Sequence, residues 1–186
     1  MKNYKIGVIV GSLRKESYNL KTAKALMQIA PESLSLELLD ISNLAMFNED
    51  LEATPPQEWL SFREKLRSVD GLLFLTPEYN RSMPGVLKNA IDVGSRPYGQ
   101  NSWEGKPGAI VSVSISNLGG FGANHHLRQS LVFVNVPTMA QPEAYVGGAG
   151  ELFDESGNLT NESTKEFLSK FMSAFEKWIQ QMQQRN

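Results

Sequence analysis

Apolar positions along the chain switch repeatedly between strand-like and helix-like spacing. Residues 5–10 (KIGVIV) form a short buried run, as a strand does. Residues 18–30 follow with Leu20, Ala23, Met27 and Ala30 at helical spacing, and Pro31 ends that pattern. Residues 34–39 (LSLELL) alternate polar and apolar, which predicts a half-buried strand. Residues 56–69 predict a helix with Pro56 near its first position and Trp59, Phe62, Leu66 and Val69 on one stripe. The continuous apolar run at 71–76 (GLLFLT) fits a central parallel strand covered on both faces. Pro84 opens a helix that Gly94 closes, with Val86, Leu87, Ala90 and Ile91 inward. A strand at 108–115, a helix at 121–135, a short strand within 137–146 and an amphipathic helix at 160–182 complete the chain. The last helix turns Leu168, Phe171, Met172, Phe175 and Ile179 inward.

Strict alternation of five strands and five helices predicts an α/β fold: a parallel sheet with helices on both faces. No internal repeat or linker interrupts the 186 residues, so one domain spanning 1–186 is expected. The Gly-rich, acidic stretch 147–160 reads as a surface excursion before the last helix.

Charge narrows the partners. A net charge of −2 provides no basic excess for nucleic acid. No apolar run reaches the 18 or so residues that span a bilayer, and the N-terminal apolar stretch is too short for a signal-peptide core. A cytoplasmic protein is expected. There is no cysteine, so disulfides, thiolate metal sites and a cysteine nucleophile are excluded. Any redox chemistry must then come from a bound cofactor.

Two loops carry candidate chemistry. The first strand runs into Gly11-Ser-Leu-Arg-Lys-Glu-Ser-Tyr-Asn19 and then a helix. A helix N-terminus after a parallel strand suits an anion, and Ser12, Ser17, Asn19 and Arg14 add donors. The loop is neither GxGxxG nor GxxxxGK[ST], so a dinucleotide fingerprint and an NTPase loop are both unsupported. A monophosphate fits better, although Ser17 and Asn19 could simply cap the helix. The second loop, Thr76-Pro-Glu-Tyr-Asn-Arg-Ser-Met-Pro-Gly85, lies at the same sheet edge if strand order is 2-1-3-4-5. Its prolines stiffen a backbone able to present amides to a flat ring, with Tyr79 beside it, or they make an ordinary stiff turn.

Gly11-Ser-Leu-Arg-Lys-Glu-Ser-Tyr-Asn19, together with Pro77-Glu-Tyr-Asn-Arg-Ser-Met-Pro-Gly-Val-Leu-Lys-Asn-Ala-Ile-Asp92, resembles the NADPH-dependent FMN reductase family. The likeness is strongest to its bacterial quinone and chromate reductases and covers nearly the whole chain. It implies a flavodoxin-like fold of strand order 2-1-3-4-5 that binds FMN. By the resemblance, Ser12, Arg14, Ser17 and Asn19 lie at the phosphate, Leu20 is a further cofactor contact, and Pro77, Glu78, Tyr79 and Asn80 lie at the isoalloxazine. A third contact is implied at Ser114, Ser116, Gly119 and Gly120, in a loop less Gly-rich than in many relatives. NADPH or NADH would stack over the open flavin face and deliver hydride. A small acceptor would then take the electrons in a ping-pong cycle: a quinone, chromate, an azo compound or free flavin. The resemblance names no catalytic acid or base and no metal, and implies a homodimer or homotetramer. The alternatives are a flavodoxin-type carrier reduced by a separate reductase, which the small net charge disfavours, and an interaction module without turnover.

Some residues suggest other roles. His125 and His126 are the only histidines, and on a helix they point roughly 100° apart, which disfavours chelation of one ion. Structural or interface roles are expected. The resemblance implies that Arg128 and Glu143 meet across a subunit interface; the alternative is a surface ion pair worth little. Trp59, Trp103 and Trp178 read as packing residues, with Trp103 close enough to the loops to border a flavin or a partner.

Overall fold

A computed structural model describes residues 2–184. Its elements run in the order β1 (Tyr4–Val10), α1 (Tyr18–Ile29), β2 (Leu34–Leu38), α2 (Gln57–Ser68), β3 (Gly71–Thr76), α3 (Gly85–Gly94), β4 (Gly108–Val113), α4 (Phe121–Phe133), β5 (Ala144–Val146) and α5 (Glu162–Gln183). The sheet is wholly parallel in the order β2-β1-β3-β4-β5. β1 is paired on both sides, with Val8 opposite Leu38 of β2 and Leu73 of β3.

Alternate residues of each central strand feed two cores. On one face Ile6, Val8, Leu73, Leu75 and Val111 meet Ala23 and Leu26 of α1 and Leu168, Phe171 and Phe175 of α5. On the other, Ile9, Leu72, Phe74 and Ile110 meet Trp59, Phe62 and Leu66 of α2, Leu87 and Ile91 of α3, and Leu127 and Leu131 of α4. Because both faces are covered, all six residues of β3 are buried and its sequence shows no alternation. β2, an edge strand, buries only Leu34 fully.

Three expectations shift in detail. The buried face of α1 is Asn19, Thr22, Ala23, Ala25 and Leu26, and Met27 is on the exposed side. Polar Asn19 and Thr22 hide that face from a purely apolar pattern. Pro56 and Pro84 are N-caps lying just outside α2 and α3 rather than first helical residues. Trp103 lies fully buried between Phe62 and Phe74, and its indole N–H donates to the Ile91 carbonyl at 3.0 Å. It therefore belongs to the core beneath α3 and borders no ligand cleft.

Candidate cofactor site

A strand order that reverses between β1 and β3 opens a crevice beyond their carboxyl ends. Here that crevice is a 160 Å³ cleft lined by Ser12, Arg14, Ser17, Tyr18, Asn19, Pro77, Glu78, Tyr79, Val113, Ser114 and Ile115. The loops after β1, β3 and β4 thus converge, although their residues lie up to about a hundred positions apart.

The first loop is built around the start of α1. Ser17 is the N-cap, and its Oγ accepts from the Leu20 amide at 3.3 Å. The first turn of α1 contains no acidic residue, and Glu16 just before the cap is paired with Lys21 at 3.1 Å, which leaves the positive end of the helix suited to an anion. Arg14 is exposed at the mouth of this turn. Asn19 lines the cleft, and its buried Oδ1 has no hydrogen-bond partner among the described residues. A ligand hydroxyl in the cleft would supply the missing donor, so the residues fit a group with a phosphate and hydroxyls.

The second loop is a two-residue hairpin. Tyr79 and Ser82 exchange both backbone hydrogen bonds, at 2.9 and 3.0 Å. The central residues Asn80 and Arg81 have φ of 52° and 66°, as this tight turn demands. Tyr79 is half exposed at the rim of the cleft. The Glu78 carboxylate instead turns toward α4, where Oε2 accepts from the Ala123 amide at 3.1 Å and Oε1 lies 3.6 Å from Arg81. Any contact of Glu78 with a ring would come from its backbone.

The third loop is held by its own hydroxyls. Ser114 Oγ accepts from the Ser116 amide at 3.1 Å, and Ser116 Oγ from the Leu118 amide at 3.3 Å. Gly119 and Gly120, both at positive φ, turn the chain into α4.

Eight of the residues singled out in the sequence line the one cleft: Ser12, Arg14, Ser17, Asn19, Pro77, Glu78, Tyr79 and Ser114. Five do not. Leu20 faces a neighbouring apolar groove of 290 Å³ with Leu13, Leu38 and Ile41. Asn80 is at the exposed hairpin tip, Ser116 is exposed, and Gly119 and Gly120 are buried behind the rim. The sequence reading missed Tyr18, Val113 and Ile115, which flank residues it singled out; Val113 and Ile115 carry only apolar side chains. A larger cleft of 370 Å³ lies elsewhere, lined by Phe47, Arg96, Tyr98 and Phe133. It is not at the strand ends and has no helix start aimed into it, so the smaller cleft is the better cofactor site.

The two histidines part company. His125 Nε2 lies 2.9 Å from the Tyr145 hydroxyl and its ring packs against Phe121, whereas His126 faces the second loop. Arg128 donates to Asn124 Oδ1 at 3.0 Å and the Met139 carbonyl at 2.9 Å, which ties it inside its own chain. No cluster able to hold a metal ion occurs among the described residues.

Topology and cleft together define a flavodoxin-like protein. A solved structure of a mutant flavodoxin from Pseudomonas aeruginosa shares the fold with a TM-score of 0.59 at 15% identity over 92% of this chain and 99% of its own. A model of the NADPH-dependent FMN reductase family matches residues 4–151, and the chain belongs to that family. It is 59% identical over 177 residues to a quinone reductase of Pseudomonas putida, covering 95% of each chain. It is 36% identical over 179 residues to a quinone reductase of Escherichia coli, covering 94% of each. The structure of FerB, a flavoenzyme NAD(P)H:(acceptor) oxidoreductase of Paracoccus denitrificans, matches with a TM-score of 0.91 at 42% identity, covering 96% of this chain and 98% of that one.

Proposed function

We propose that this chain is an FMN-dependent NAD(P)H oxidoreductase that reduces quinones. The observation that carries the reading is the convergence of three loops on one cleft at the carboxyl ends of β1, β3 and β4. When bound, FMN would supply the redox chemistry, taking hydride from NADPH or NADH and giving electrons to the acceptor. Ser12, Arg14, Ser17 and the α1 amides would hold the phosphate. Pro77, Tyr79 and the backbone of residues 78–80 would support the ring, with Ser114 and the turn at 116–120 closing the far side.

The enclosed volume of 160 Å³ is below the roughly 300–1,000 Å³ of a pocket that swallows its ligand. The cleft would therefore grip the phosphate and side chain and leave one ring face open. Donor and acceptor would use that face in turn. The chain's contribution is orientation rather than proton transfer, and no side chain is assigned as acid or base.

We further infer a single domain, a cytoplasmic location and a homodimer or homotetramer. No helix among the described residues is long and apolar enough to cross a membrane. Exposed Tyr98 and Phe133, which line one cleft with Phe47, support self-association, because isolated monomers seldom leave such side chains open together. Chromate, azo compounds and free flavin would be further acceptors at the same face.

The test is a visible spectrum of the protein with FMN, taken anaerobically before and after NADPH and then after a benzoquinone. Bleaching by NADPH and recovery with quinone is the expected result. Bound flavin that stays oxidised with both NADPH and NADH would indicate a carrier, and failure to bind flavin would overturn the cofactor reading.

A further inference from the structure

The hairpin that carries Tyr79 is not a self-sufficient turn. Arginine at a φ of 66° is disfavoured by roughly 1–2 kcal/mol, so something outside the loop must hold it. That support comes from α4. At the base of the hairpin, the Glu78 carboxylate takes the Ala123 amide, one of the donors a helix N-terminus leaves unpaired. At its far strand, Ser82 Oγ lies 2.6 Å from Nδ1 of His126. Ala123 and His126 are three residues apart and so share one face of α4. Gly122 beside them brings the helix close: a β-carbon there would lie 3.0 Å from Glu78 Oε2 and 3.1 Å from the Arg81 carbonyl oxygen.

We propose that His126 is a positioning residue for the flavin ring loop, fastening the hairpin to α4 through Ser82 while Glu78 fastens its base. His126 is outside the lining of the cleft, so it would act on the ring only through the loop. With the imidazole neutral and protonated on Nε2, Ser82 donates its hydroxyl hydrogen to Nδ1. The inference rests on the FMN reading above. It assigns the second histidine a task that packing does not, since both partners are solvent-accessible and bury little apolar surface.

The test uses FMN titration of the apoprotein by flavin fluorescence, together with visible circular dichroism of the bound flavin, for wild type, Ser82→Ala, His126→Ala, the double variant and His126→Asn. Each alanine variant should weaken FMN binding about three- to tenfold, the range one hydrogen bond supports. The double variant should be no worse than either single one. His126→Asn places an acceptor oxygen near the position of Nδ1 and should restore affinity to within about twofold. The dichroism should change in the alanine variants while the melting temperature of the apoprotein does not. Wild-type binding with all variants within twofold of it overturns the proposal alone. Loss of affinity that His126→Asn does not restore also overturns it, because general damage would explain that. Failure of the wild type to bind FMN overturns the flavin reading and this proposal with it.

Discussion

Gly119 lies directly against the backbone of Tyr145: a β-carbon at Gly119 would stand 2.7 Å from the Tyr145 carbonyl carbon and 2.9 Å from its oxygen. The contact locks the third loop to the end of β5, and Gly119 holds a φ of 59° while making it. Gly119→Ala should therefore cost both the left-handed penalty of roughly 1–2 kcal/mol and a clash with backbone that cannot easily yield. Gly99, at φ 78° with open space around it, provides the comparison. In urea denaturation Gly119→Ala should lose at least about 1 kcal/mol more than Gly99→Ala. Equal losses would mean the contact with Tyr145 is unimportant.

Arg14 is exposed, so its removal should leave folding stability within about 0.5 kcal/mol of wild type. It lines the cleft together with Ser17 and Tyr18 at the start of α1, where the anion would sit. Arg14→Ala should weaken FMN binding about ten- to a hundredfold, as loss of a charge-assisted hydrogen bond does. Fluorescence titration at low and high salt would check this, with the gap narrowing as salt rises. An unchanged dissociation constant would remove Arg14 from the phosphate site.

The hairpin tip makes an opposite kind of forecast. Replacing Arg81 by glycine relieves a left-handed arginine worth roughly 1–2 kcal/mol and adds unfolded-state freedom worth roughly 0.4–1 kcal/mol. The 3.6 Å pair with Glu78 involves an exposed guanidinium and adds little to the balance. Arg81→Gly should therefore be neutral to slightly stabilising in thermal unfolding of the apoprotein. A clear drop in melting temperature would show that the arginine side chain holds the loop.

Burial, and then hydrogen bonding and charge from Glu143, raise the Tyr145 phenol from 10.0 to about 12. A raised value means the folded state holds its proton more tightly than the unfolded chain. That stability is complete below pH 10 and is lost as pH climbs toward 12. Absorbance near 295 nm should show one of the five tyrosines ionising late, and Tyr145→Phe should remove that step. The variant should also lose stability less steeply between pH 10 and 12. A titration with no late tyrosine would contradict the assignment.

The sheet was legible because central parallel strands write themselves as unbroken apolar runs, as Gly71–Thr76 and Gly108–Val113 do. The first loop was legible because a cap such as Ser17 and a fork such as Arg14 are chemistry visible one residue at a time. The tethering of the second loop was not. The resemblance implies Glu78 at the flavin ring, yet its carboxylate pairs with a backbone amide 45 positions away. No spacing rule connects Ser82 to His126 across 44 positions either. The inward face of α1 was misjudged at Met27 because Asn19 and Thr22, polar by type, are buried by position.

The small volume of the cleft at the strand ends has a consequence for selectivity. A cleft too small to enclose the whole ring would leave the exposed face with little means of measuring the size or outline of a molecule that arrives there. Discrimination among acceptors would then pass from steric fit to thermodynamics, with reduction potential and frequency of encounter deciding which compounds are reduced. A catalyst of that kind is a generalist by construction, and its range in the cell would be set by which oxidants are present.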